Sequence, residues 1–104
     1  MALIETYILV PTTYNNGEPV EAEKFEALQA LYIEKVGGLT IEPETKQGFW
    51  TDGKTLYKDT NLKYIAAIEH WNQVKDILEI AEYVKKEWKQ EAVYINIAGI
   101  ADII

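Results

Sequence analysis

The sequence predicts an α+β domain. It reads as a four-stranded antiparallel sheet with two helices on one face, in the order strand, helix, strand, strand, helix, strand. Three observations lead there. Four short runs rich in β-branched and aromatic residues read as strands. Two longer stretches, 20–36 and 73–90, carry apolar residues at helical spacing. Between the second and third runs stands Asp52-Gly53, a strong two-residue hairpin signal. Right-handed crossovers then place both helices on the same side of the sheet. This is the ferredoxin-like βαββαβ arrangement, with residues 1–104 as a single domain. The first and third strands are then central, and the second and fourth are edges.

The first strand runs from Leu3 to Val10. Ile4, Thr6, Ile8 and Val10 share one face, and Leu3, Glu5, Tyr7 and Leu9 the other. A polar loop from Pro11 to Pro19 follows. The first helix, Val20 to Val36, buries a stripe of Ala22, Phe25, Leu28, Tyr32 and Val36. Glu21 and Glu23 favour its N-terminal dipole, and Gly37 is placed to be its left-handed cap.

The hairpin makes a register testable. If Thr51 faces Lys54, Lys46 faces Asp59 and Glu42 faces Lys63, giving two opposite-charge pairs on one face. A bulge at Gly48 would break that register. Pro43 suits an edge strand, where a missing N–H does no harm. The second helix, Gln73 to Gln90, follows Asn72 as N-cap and buries Val74, Ile77, Leu78, Ala81, Val84 and Trp88. The last strand is Ala92 to Ala98, and an apolar tail, Gly99 to Ile104, remains.

Composition narrows function by exclusion. A net charge of -7 argues against nucleic acid and anionic membrane surfaces. The absence of cysteine removes thiol catalysis and Cys-ligated metal, and a single histidine removes a multi-His metal site within one chain. No metal and no cofactor is expected. MALIETYILV has neither the basic start nor the cleavage site of a signal peptide, and no apolar run spans a bilayer, so a cytoplasmic location is expected.

Parity places Leu3, Glu5, Tyr7, Leu9, Ile65, Ala67, Glu69, Tyr94 and Asn96 on the helix-free face, a largely apolar set, with Trp50 and Tyr57 toward the hairpin. Such a patch packs against a second subunit or the chain's own tail, and either packing can enclose a small-molecule pocket. The candidate ligand-binding residues are Tyr7, Trp50, Tyr57, Glu69, His70 and Tyr94. Histidine is the side chain suited to acid–base work near neutrality, so His70 is either a general base or ligand, or simply closes a strand end. Glu5 and Glu69 fall near one another and are either an acid–base pair or a solvated rim. The catalytic residues stay unassigned.

The succession Gly17-Glu18-Pro19-Val20, Phe25, Gly38-Leu39-Thr40, Gly48-Phe49-Trp50 and Asp52-Gly53 resembles a family of small bacterial proteins catalogued only as a domain of unknown function. Many of its members resemble exported lipoproteins, whereas this sequence has no lipid-attachment cysteine. The resemblance implies the same ferredoxin-like fold and carries over no activity. The apolar, aromatic face without a catalytic constellation leads to the expectation of a non-catalytic homodimer, closed through the helix-free face and able to hold a small molecule there. The alternative is a small cofactor-independent enzyme of the dimeric α/β-barrel type, monooxygenase- or isomerase-like. A third reading is an interaction module that adds a partner's strand to an exposed edge.

Overall fold

The computed structural model describes residues 2–51 and 53–104, without the side chains of residues 43–48, 50 and 57–59. Its elements are β1 (Ile4–Pro11), α1 (Ala22–Val36), β2 (Thr40–Thr51), β3 (Leu56–Ile68), a 3-10 turn (Trp71–Gln73), α2 (Val74–Glu87), β4 (Tyr94–Ile97) and β5 (Ile100–Ile103). The strands form one antiparallel sheet in the order β2-β3-β1-β4-β5.

That fifth strand overturns the four-stranded ferredoxin-like expectation. The apolar tail is not loose. It folds back as β5, pairing Tyr94 with Ile103 and Ile97 with Ile100. The turn is made by Ala98 (φ 54) and Gly99 (φ 87), two consecutive left-handed residues as a type I′ hairpin requires. Val93 and Ile104 then exchange both backbone hydrogen bonds, at 3.0 and 3.1 Å. The outer strand on this side is therefore β5, not β4.

The core lies between the sheet and both helices. Ile8 and Val10 of β1, Tyr64, Ala66 and Ile68 of β3, and Val93 and Ile95 at β4 meet Leu28 and Tyr32 of α1 and Ile77, Ile80, Ala81 and Val84 of α2. Their strand positions alternate, as a sheet covered on one face demands. Trp88, just past α2, is fully buried; its indole donates to the Pro11 carbonyl at 2.9 Å and meets Phe25 edge-on. Ile80 is buried although it lies outside the predicted stripe, whereas Leu78 inside that stripe is exposed. Gly37 caps α1 at φ 83, with its N–H shared between the carbonyls of Ile33 and Tyr32. Asn72 is not the cap of the second helix. A 3-10 turn comes first, and His70 caps it.

The hairpin register is half as expected. Glu42 faces Lys63 and Ile41 faces Tyr64. Beyond an irregularity between Glu42 and Lys46, the pairing is displaced: Lys46 faces Asn61 rather than Asp59, and Thr51 faces Leu56 rather than Lys54. Gly48 sits in regular pairing with Asp59. The break falls at the segment holding Pro43, which has no N–H for a ladder bond. The predicted Asp52-Gly53 turn lies partly outside the described residues.

Candidate functional site

The helix-free face can be read as two rows across the sheet. One row runs Glu42, Lys63, Leu9, with Tyr94 and Ile103 paired beyond β1; the next runs Thr40, Ile65, Tyr7, Asn96, Ala101. Tyr7 and Tyr94 are diagonal neighbours across β1 and β4. Their rings stack with centroids 6.0 Å apart and planes at 22°. Both are half-buried. Lys63, diagonal to Tyr7 on the β3 side, holds its ammonium 4.2 Å from the Tyr7 ring centroid.

Asn96 is fixed by the turn that follows it. Its side-chain oxygen accepts the Gly99 N–H at 3.0 Å, which leaves the amide NH2 as a donor. Burial pushes the Tyr7 hydroxyl above its ordinary value; the adjacent Tyr94 hydroxyl adds to this, and Asn96 pulls the other way. Tyr7 is therefore a neutral phenol at physiological pH. The β4–β5 turn thus orients a polar group beside two aromatic rings.

Of the six predicted site residues, the fold brings Tyr7 and Tyr94 together. The side chains of Trp50 and Tyr57 lie outside the described residues. Glu69 and His70 are elsewhere: Tyr7 faces Ile65, and four residues of strand rise separate that point from Glu69, about 13 Å. Both are exposed. The backbone N–H groups of Glu69 and His70 donate to the Gln73 side-chain oxygen at 2.9 and 3.0 Å, and the His70 side chain caps the turn in return. His70 thus closes a strand end, the simpler of its two readings. Glu5 is exposed at the sheet rim, opposite Ala67. Among the described residues no group of three His, Cys, Asp or Glu side chains is arranged to hold a metal, and no helix is long and apolar enough to cross a membrane.

Sequence reading missed Lys63 and Asn96 as site residues, because each matters only through a cross-strand neighbour. It also missed an open groove of about 450 Å³ around Tyr14, Glu18, Glu21 and Lys89. Polar groups there are engaged within the groove: the Tyr14 hydroxyl donates to Glu21 at 2.5 Å, and the Glu18 backbone N–H donates to the Asn16 side-chain oxygen at 2.9 Å. The tyrosine face is the better candidate.

No protein-family model matches this chain, and no curated protein matches it. Two solved structures share its fold. A phage SAM lyase in complex with S-methyl-5'-thioadenosine superposes with a TM-score of 0.76 at 13% identity, over 98% of this chain and 87% of that one. The phage SAM lyase in its apo state gives a TM-score of 0.73 at 14% identity, over 97% and 86%. The five-stranded sheet with two helices is therefore an architecture that also occurs in a small-molecule-binding enzyme.

Proposed function

We propose that this protein binds a sulfonium nucleoside of the S-adenosylmethionine kind on its helix-free face and cleaves it, releasing the thioether S-methyl-5'-thioadenosine. The observation that carries the reading is the stacked Tyr7–Tyr94 pair beside the turn-fixed Asn96. It stands within a fold shared along nearly the whole chain with a SAM lyase. An adenine ring stacks on tyrosine, an amide such as Asn96 offers a hydrogen bond to fix its orientation, and a sulfonium cation is attracted to an aromatic face.

The chemistry suits such a site. A sulfonium carries its own leaving group: as the ligand's own carboxylate oxygen bonds to its γ-carbon and closes a lactone, the C–S bonding pair departs with sulfur as a neutral thioether, so the leaving atom needs no proton. What the protein must supply is orientation and a surface drier than water. A neutral Tyr7 phenol and a half-buried aromatic wall supply both without a general acid. The monooxygenase- or isomerase-like alternative gains no support here, since Glu69 and His70 lie away from the two tyrosines.

A second copy completes the site in this reading. Leu3 and Ile103, 53% and 65% exposed, extend an apolar surface around the tyrosines that favours a homodimer through this face. The cytoplasmic location suggested by the sequence goes with the same reading.

The test is direct. Incubation with S-adenosylmethionine should yield S-methyl-5'-thioadenosine by chromatography, and calorimetry should detect binding of the product. Calorimetry showing that neither compound binds at millimolar concentration would reject the assignment. Light scattering of a monomer at tens of micromolar would reject the dimer alone.

A further inference from the structure

We propose that the Tyr7 ring face is a seat for small onium cations that the chain's own Lys63 occupies when no ligand is bound, so that Lys63 competes with the ligand and sets its affinity. The inference rests on the helix-free face being the binding site, and deepens that reading by naming which part of the ligand Tyr7 takes.

The geometry comes from register. Leu9 faces Lys63 and Tyr7 faces Ile65, which makes Lys63 and Tyr7 diagonal neighbours on the same face. A diagonal pair stands about 7–8 Å apart at its base, within reach of a long side chain. Lys63 uses that reach to lay its ammonium 4.2 Å from the ring centroid, inside the range of about 6 Å at which a cation is held by the ring quadrupole. The far side of the site is fixed too, since Tyr94 stacks on Tyr7 and Asn96 is anchored by Gly99.

A primary ammonium is a strongly hydrated occupant. Sulfonium and quaternary ammonium ions carry their charge behind methyl and methylene groups and give up water more readily. An onium ligand therefore gains more from the ring face than Lys63 does and displaces it. The displaced ammonium has a carboxylate across the ladder to turn toward, because Glu42 stands directly opposite Lys63. A tethered competitor lowers apparent affinity by the fraction of time that it holds the seat. For a cation–aromatic contact at an open site, that factor is about two- to five-fold.

The experiment titrates tetramethylammonium, and tert-butanol as a neutral mimic of similar shape, into the wild-type protein and the Lys63→Met and Lys63→Arg variants. The ring resonances of Tyr7 and Tyr94 report binding. The expected result is that Lys63→Met binds tetramethylammonium about two- to five-fold tighter than wild type. Lys63→Arg, which keeps a tethered cation, should show no gain, and tert-butanol should bind weakly to all three. Equal or weaker binding of tetramethylammonium by Lys63→Met overturns the proposal, as does tert-butanol binding that variant as well as the cation does. The two inferences fail separately. Tetramethylammonium binding without any binding of S-adenosylmethionine removes the nucleoside reading and leaves the seat; S-adenosylmethionine cleavage with no effect of Lys63→Met on onium affinity does the reverse.

Discussion

The rings of Tyr7 and Tyr94 come from opposite ends of the chain and stack at 6.0 Å on the face of the sheet that no helix covers. Aromatic pairs of this kind contribute about 0.5–1.5 kcal/mol beyond the area that they bury. A core needs no such pair on its outer face. Tyr7→Leu and Tyr94→Leu should each cost little stability, about 1 kcal/mol. Tyr94→Leu should weaken binding of S-methyl-5'-thioadenosine by about five-fold or more, since stacking one base on one ring is worth about 1–3 kcal/mol, and Tyr7→Leu should weaken binding of S-adenosylmethionine, whose sulfonium it seats, by about two- to five-fold. Calorimetry on both variants, with urea denaturation as the control, checks this. Unchanged affinity in either variant would remove the aromatic wall as the binding surface.

Tyr32 poses the opposite case. Its ring is buried against Tyr64, at 5.8 Å between centroids, but its hydroxyl is buried with no hydrogen-bond partner among the described residues. An unsatisfied hydroxyl in a core costs about 1–3 kcal/mol. Tyr32→Phe should therefore raise the denaturation midpoint, by up to about that amount. Burial, and then the neighbouring Tyr64, drive the Tyr32 phenol far above its ordinary value of 10.0. The folded state thus keeps a proton that the unfolded state releases above about pH 10. Stability is full below that pH and falls as pH rises past it. The same variant should flatten this alkaline loss. A Tyr32→Phe protein less stable than wild type at pH 7 would mean that the hydroxyl has a partner in solution.

How far the sequence could be read is clearest at the two ends of the sheet. The β1 faces, the Gly37 cap and the Glu42–Lys63 pairing followed from period, left-handed propensity and charge, all local signals. The tail did not, because five apolar-rich residues after Gly99 fit a strand, a loose terminus or an interface equally well. Ala98 was the obstacle: an alanine at positive φ hides a turn that Asn-Gly would have announced. Without β5 there was no reason to see that Asn96 would be oriented by Gly99. The register shift near Pro43 was hidden for another reason. Opposite charges at 46 and 59 made the unshifted ladder attractive, and only the backbone reveals that Lys46 meets Asn61.

That turn gives a prediction in two directions. Ala98 holds φ 54, which costs an L-residue other than Asn or Gly about 1 kcal/mol. Ala98→Asn should stabilise the protein by about 0.5–1 kcal/mol, by relieving strain at the first turn position. Ending the chain at Gly99 should do the reverse, since it removes the Ile104 bonds to Val93 and leaves β4 as a bare edge. It should also weaken nucleoside binding through Asn96. Thermal denaturation of both proteins is the measurement. Full stability in the truncated chain would mean that β5 contributes nothing to the fold.

Lys35 on α1 and Glu79 on α2 form an ion pair at 2.5 Å that ties the two helices together at the surface. The hydrogen bond from Lys35 holds the Glu79 carboxyl below its ordinary value, and the bond to Glu79 raises the Lys35 ammonium. The lowered carboxyl adds stability that is present above the unfolded glutamate value, about 4.3, and is lost as pH falls through the folded one. The raised ammonium adds stability present below about 10.4 and lost as pH rises through its folded value. The pair therefore acts between these limits and only weakly, as exposed pairs do. Glu79→Gln should lower stability slightly at pH 7 and by less at pH 3, with the difference shrinking in high salt. Urea denaturation of wild type and variant at both pH values, with and without 1 M salt, measures it. In wild type, the Glu79 side-chain carboxyl carbon should titrate below the ordinary glutamate value, and a Glu79 that titrates at that value would show that the pair does not persist in solution.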